Sequence, residues 1–194
     1  MRVLIACEYS GTVRDAFLKK GHDAISCDLL PTDKSGPHYQ GDIFDIIDQG
    51  FDLMIAHPPC TYLTVSANKW YKDQPERKSG TLVGAARRAA REEAIDFFLK
   101  LYNCNIPRIA IENPIGILSS RFRKPDQVLQ PWMFGHGETK ATCLWLRDLP
   151  ILTPTKIVEG REQRLHYLPK TEDRWKIRST TYQGIADAMA DQWG

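Results

Sequence analysis

A chain of 194 residues with 42% hydrophobic and 26% charged side chains has the make-up of an ordinary globular domain and leaves little space for a second independent core. This composition excludes disorder, collagen and coiled coil as the basis of the fold. With 26 basic against 24 acidic residues the net charge is +2, so bulk charge predicts no strongly basic nucleic-acid coat and no partner of any kind. No apolar run nears the roughly 18 residues of a membrane helix, and the residues after Met1 enter a strand pattern directly. The expectation is a cytoplasmic protein with no membrane partner. Cys7, Cys27, Cys60, Cys104 and Cys143 are scattered and form no CxxC pair, which predicts neither a disulfide framework nor a metal site.

In chain order, residues 3–6 read as a first strand. Residues 12–20 carry helical spacing at Val13, Ala16 and Phe17 and stop at Gly21, a residue suited to a left-handed cap. Residues 23–27 read as a second strand and 30–40 as a loop, and Gly41-Asp42 opens a short helical segment to about residue 48. A third strand is expected at 52–56. From 81 to 101 the apolar positions Val83, Ala86, Ala90, Ala94, Phe97, Phe98 and Leu101 share one face, with Arg87, Arg88, Arg91, Glu92 and Glu93 elsewhere. Strands at 108–111 and 141–146 and a terminal helix at 182–192 complete the pattern. Strands alternating with helices predict an α/β domain, a mainly parallel sheet with helices on both faces. Residues 1–194 then form a single domain, from which 147–180, rich in Pro and basic side chains, makes an excursion too short to fold alone.

In open α/β sheets ligands bind beyond the carboxyl ends of the strands. The first strand is followed by Glu8-Tyr9-Ser10-Gly11, the second by Asp28, the third by His57-Pro58-Pro59-Cys60 and the fourth by Glu112-Asn113-Pro114. Carboxylates after the first two strands can accept from the amino and ribose groups of a nucleoside cofactor, although Asp28 reads equally as a turn residue. Cys60 is the one thiol in a polar loop at a strand end, a candidate nucleophile or else an ordinary buried Cys. Glu112 ends the apolar run Ile109-Ala110-Ile111, so burial should raise its pKa toward acid–base use; otherwise it is a structural hydrogen-bonding Glu.

Taken in order, these motifs resemble those of the cytosine-5 DNA methyltransferases. Tyr9-Ser10-Gly11 sits where that family has its first cofactor loop, Asp28 at the ribose-binding acid and Gly41-Asp42-Ile43 at the adenine-contacting motif. Residues 52–60 resemble the Pro-Cys nucleophile motif, 79–82 the fifth motif, Ile111-Glu112-Asn113 the Glu-Asn motif, 135–146 the eighth and Tyr182-Gln183-Gly184 the tenth. The resemblance is to a small, phage-type member, and it implies a Rossmann-like fold using S-adenosylmethionine. Cofactor-binding residues would be Glu8, Ser10, Gly11, Asp28, Asp42, Pro58, Gly184 and Ala186. The catalytic residues would be Cys60, Glu112 and Asn113, and the substrate would be met by Pro59, Thr61, Tyr62, Lys140, Arg161 and Arg164. Departures are Glu8 and Ser10 in place of paired glycines, Thr61 for Gln, Pro114 for Val, and the absence of a Gln-x-Arg-x-Arg pattern around Lys140. A large target-recognition domain has no room, and 147–180 is left to contact phosphates.

The resemblance implies that Cys60 adds to carbon 6 of cytosine while Glu112 engages ring nitrogen 3 and Asn113 orients the pocket. The substrate would be DNA, single-stranded or with its base flipped out and flanked by Tyr62 or Trp70, or else another cytosine-containing molecule, RNA or a free nucleotide. Two rivals remain. His57-Pro58-Pro59-Cys60 also resembles the Asp/Asn-Pro-Pro-aromatic motif of amino-methyltransferases, and the irregular first loop is compatible with a catalytically idle nucleic-acid binder.

Overall fold

The computed structural model describes residues 1–169, 171 and 174–194. β1 (Arg2–Ala6), α1 (Thr12–Lys19), β2 (Asp23–Asp28), β3 (His38–Gln40), β4 (Leu53–Ala56), α2 (Gly84–Tyr102) and β5 (Arg108–Pro114) follow one another. After them come α3 (Leu118–Arg121), β6 (Gln127–Leu129), β7 (Thr142–Arg147), α4 (Arg164–Tyr167), α5 (Arg174–Ser179) and α6 (Gln183–Trp193). The seven strands form one sheet in the order β3-β2-β1-β4-β5-β7-β6. The first five are parallel, and β7 runs antiparallel to both neighbours. This is the expected Rossmann-like α/β architecture.

Period-two alternation divides the core. Val3, Ile5, Leu53 and Ile55 face one side and pack with Val13 and Phe17 of α1 and Ile185, Met189 and Trp193 of α6. Leu4, Met54, Ile109, Ile111 and Trp145 face the other and pack with Ile95, Phe98 and Leu101 of α2. Strands buried on both faces explain why 3–6, 53–56 and 109–111 are continuous apolar runs.

The differences from the expected elements have local causes. β3, third along the chain and at one edge of the sheet, lies inside the expected loop at 30–40, where three residues pair with the end of β2. Residues 43–45 make a single 3-10 turn capped by Asp42, in place of a helical segment to 48. β5 runs on through Glu112, Asn113 and Pro114 because β7 pairs with it to that point. Helix α2 starts three residues late, after an extended Val83, and its first half buries Arg87 rather than Ala86.

Arg14 is wholly buried in α1, where its guanidinium bonds Asp15, Ser26, Thr32 and the carbonyls of Lys34 and Ser35. Gly11, left-handed at φ 68°, leaves the space that the guanidinium fills, since a Cβ there would lie 2.4 Å from Arg14 Nη2. This one side chain fastens the 32–35 segment to the start of α1. Arg14→Met should therefore lower the unfolding free energy by about 2–3 kcal/mol, the scale of leaving buried polar groups unpaired, as read by urea denaturation; an unchanged midpoint would show that the segment is held otherwise.

Candidate active site

A cavity of about 450 Å³ opens beyond the carboxyl ends of β1, β2 and β4. Asp28, Leu29, Asp42 and Ile43 line one part of it, Pro59, Thr61 and Tyr62 another, and Ala90, Glu93, Ala94 and Phe97 of α2 a third. Asp28 accepts from the Leu30 N–H at 3.0 Å, and burial pushes its pKa up. Asp42 accepts from the Phe44 N–H at 3.0 Å. Two carboxylates set among Leu29, Ile43 and Phe97 suit a nucleoside: acceptors for hydroxyl and amino hydrogens, apolar walls for a flat ring.

Cys7 and Cys27 also line this cavity. Cys7 adopts φ 57°, a left-handed conformation uncommon for a residue with a Cβ, at the point where the chain turns off β1. Burial, followed by the charge of Asp28, pushes both thiols up, Cys27 to about 12. They stay protonated and serve as walls, not nucleophiles.

Cys60 differs. Of the five cysteines it alone is exposed. It sits in a turn whose shape is set on three sides. The Leu63 and Thr64 N–H groups donate to the Cys60 carbonyl, Asn113 Nδ2 donates to the Pro58 carbonyl at 3.0 Å, and Thr64 bridges to Gly116 beyond β5. Neighbours crowd the thiol enough that loss of hydration, and then the charge of Glu112, push its pKa up, while Lys140 and Arg178 pull against them. Cys60 and Glu112 therefore feel each other electrostatically, and both feel Lys140.

Glu112 does not behave as its sequence context suggests. Burial alone would raise its pKa, as expected from the apolar run before it. The hydrogen bond from His57 Nδ1 to Oε2 at 2.9 Å, with the charges of Lys140 and His57, outweighs burial and holds the carboxyl below the ordinary range. The correction arises because both partners come from elsewhere in the chain, 55 residues away in the case of His57.

The strap after Cys60 is fastened by α2. Arg87 donates to the carbonyls of Thr61 and Leu82, and Arg91 to that of Tyr62, which also accepts from the Tyr71 hydroxyl at 2.7 Å. The Arg91 guanidinium lies 3.2 Å from the centre of the Tyr71 ring. Sequence reasoning missed these arginines and the role of His57. The available signal was the Arg87/Arg91 spacing of four, one helix face, ahead of a strap rich in aromatics.

Pro58, Pro59, Thr61, Tyr62, Asp28, Asp42, Asn113 and Lys140 thus gather with Cys60 and Glu112 along this edge, Pro58 through its carbonyl and Lys140 through its charge. Other candidates lie away from the cavity. Glu8 is buried and accepts from the Val13 and Arg14 N–H groups and the Ser10 hydroxyl, which fastens it to the start of α1 near Gly11. Gly184 packs against the Phe134 carbonyl, where a Cβ would sit at 1.9 Å, and Ala186 is in the core beside α1. Arg161 stacks on Trp132, and Arg164 pairs with Glu162.

No protein-family model matches the chain, and no curated protein is significantly similar to it. Among solved structures, a DNMT2 mutant from Spodoptera frugiperda aligns at 16% identity with a TM-score of 0.44, over 87% of this chain and 55% of its own. The Entamoeba histolytica methyltransferase EhMeth aligns at 14% and 0.48, over 88% and 60%, and the S. pombe Dnmt2 methyltransferase at 18% and 0.46, over 83% and 51%. The chain thus spans about half to three fifths of the length of these proteins.

Because the Glu112 carboxyl lies below its unfolded value of about 4.3, it contributes stability that is present above that pH and lost as pH falls through the lowered folded value. Thermal melts from about pH 6 to pH 2 should therefore show wild type losing its margin over Glu112→Gln as acid is added. A difference in Tm that stays constant with pH would contradict the assignment.

Proposed function

We propose that this chain is an S-adenosylmethionine-dependent methyltransferase that modifies carbon 5 of cytosine in DNA through a covalent adduct at Cys60. The observation that supports it is the continuity of three features. Pro59 and Thr61, on either side of the exposed thiol, line the nucleoside-sized cavity, and the Glu112 carboxyl acts on the same thiol from the neighbouring strand.

In this reading Asp28 accepts the ribose hydroxyls of the cofactor and Asp42 its adenine amino group, with Ile43 and Phe97 against the ring. When bound, S-adenosylmethionine supplies an electrophilic methyl group. Carbon 5 of cytosine is too weak a nucleophile to take it unaided, and addition of the Cys60 sulfur at carbon 6 makes it reactive. Lys140 and Arg178 lower the cost of the thiolate against burial and the charge of Glu112. Glu112 meets nitrogen 3 and stabilises the charge that develops there, and Asn113 keeps the Pro58-Pro59-Cys60 turn in place through the Pro58 carbonyl. Loss of the carbon 5 proton then expels Cys60.

Residues 1–194 act as one catalytic domain, with 147–180 as its substrate-facing excursion. α5 supports this role. The Tyr9 hydroxyl donates to the Lys176 carbonyl at 3.2 Å, and Lys140 Nζ to that of Arg178 at 2.8 Å, so the helix reaches both the first loop and the Glu112 side of the site. With so short a recognition segment, phosphate contacts should dominate binding and sequence preference should be weak. The amino-methyltransferase reading is disfavoured because Cys60 stands where that class stacks an aromatic ring, and the His57 side chain is turned to Glu112.

Labelled S-adenosylmethionine incubated separately with DNA, RNA and nucleotides tests the reading directly. Label at carbon 5 of cytosine in DNA is expected; transfer to RNA or a nucleotide alone would keep the chemistry and overturn the substrate. DNA carrying 5-fluorocytosine should trap the enzyme, because fluorine cannot leave as a proton does, with the adduct on Cys60. Cys60→Ser should abolish trapping and turnover while leaving cofactor binding intact, and Glu112→Gln should slow turnover by roughly 10²- to 10⁴-fold. Asp28→Ala should weaken cofactor binding in calorimetry. Turnover by Cys60→Ser, or an adduct on another cysteine, would overturn the assignment.

A further inference from the structure

His57 follows β4 directly, and its backbone N–H still donates to Ala6 at 2.9 Å, so the residue is held as firmly as the strand. Its side chain turns inward and is 9% exposed. Nδ1 bonds Glu112 Oε2, and Nε2 is buried with no hydrogen-bond partner among the described residues. A space of about 10 Å³, roughly that of one water, lies beside the pair, lined also by Lys140, Thr142, Thr181 and Tyr182. A buried imidazole with one nitrogen unpaired calls for an explanation, because a buried polar atom without a partner is destabilising.

The proposed chemistry has a matching requirement. Addition of sulfur at carbon 6 leaves an electron pair at nitrogen 3 that must take a proton. Glu112 alone, held ionised by its neighbours, has none to give. Its immediate neighbour is placed to supply one: His57 Nδ1 lies 2.9 Å from Oε2, within reach to hand a proton across the hydrogen bond.

We propose that His57 is a positioning residue that stores the proton Glu112 passes to nitrogen 3, orienting the carboxyl and recharging it from the side opposite the base. The inference rests on the reading of Cys60 and Glu112 given above. The step balances as follows. The Cys60 thiolate pair forms the sulfur–carbon 6 bond, the carbon 5–carbon 6 π pair moves to carbon 4–carbon 5, and the carbon 4–nitrogen 3 π pair takes a proton that Glu112 has first received from Nδ1 of a His57 imidazolium, which leaves a neutral imidazole and an ionised carboxylate. After methylation the carbon 5 proton leaves to water and its bonding pair restores the carbon 5–carbon 6 double bond. Sulfur departs with its pair, and the nitrogen 3 proton returns through Glu112 to His57.

The ionisable groups facing this pair are Lys140 ahead of β7, Cys143 on β7, Tyr182 at the start of α6, Cys60 on the turn and, through Cys60, Arg178 on α5. Tyr182 is pushed up by burial and by donating to Glu138, and Cys143 by burial and by Glu112. Both stay protonated near neutrality, which leaves Cys60 and the His57–Glu112 pair to shape a pH profile.

His57→Asn tests this, because an amide nitrogen can replace Nδ1 as a donor to Glu112 but stores no mobile proton. Expected is a kcat lower by roughly 10²-fold at neutral pH, little change in KM or melting temperature, and partial recovery in acid, where Glu112 can take its proton from water. An unchanged profile, or an equal loss at every pH, would overturn the proposal. Cys60→Ser runs in parallel. If that variant still turns over, the reading of the site has failed; if it is dead and His57→Asn keeps the wild-type profile, the role of His57 alone has failed. Independently of activity, the His57 ring signals in ¹⁵N-histidine NMR should titrate differently in Glu112→Gln, and identical titrations would also overturn the proposal.

Discussion

The site depends on the register of two adjacent parallel strands. Ala56 of β4 pairs with Ile111 of β5, so the next residues out, His57 and Glu112, stand side by side, and Pro58 and Asn113 follow them. Both pairs are joined by hydrogen bonds, imidazole to carboxylate and amide to carbonyl. A slip of one residue would turn Glu112 to the other face of the sheet and break both. The Cys60 turn therefore takes its position from the two strands and not from its own sequence, and the two prolines stiffen a path whose direction is already set.

Burial acts on both Asp28 and Glu112, and the outcome differs with what else each one meets. Asp28 has loss of hydration as its main influence and rises. Glu112, more deeply placed, falls because His57 and Lys140 are built around it. The same contrast separates the thiols. Cys7 and Cys27 face carboxylates, whose charges reinforce burial, whereas Cys60 is exposed and has Lys140 and Arg178 to offset Glu112. Of the five cysteines, Cys60 alone is exposed, and basic groups oppose the acid beside it.

Arginines fasten the loops that surround this edge. Arg14 holds the segment after β2, and Arg87 and Arg91 hold the strap after Cys60, in each case through backbone carbonyls of loop residues. A planar guanidinium with several donors is suited to this, since one side chain can satisfy carbonyls that no ladder reaches. The first half of α2 thus spends its inward positions on polar anchoring and its second half on the apolar core, which is why its apolar stripe is strict only from Ile95 onward.

Much of the architecture was legible in the sequence, because strands buried on both faces must be continuous apolar runs and helices between them must be amphipathic. The runs at 3–6, 53–56 and 109–111 could form little else. The strand ends then marked Asp28, Cys60 and Glu112 as residues of one edge without any tertiary information. What the sequence did not carry were the short strands β3 and β6, each three residues long, whose existence comes from pairing and not from local preference. Nor did it carry the partners of Glu112 or the burial of Arg87 and Arg14. Periodicity records which face a residue occupies, but a pKa and a polar anchor depend on groups tens of residues away, and only the folded chain brings His57, Lys140 and Glu112 together.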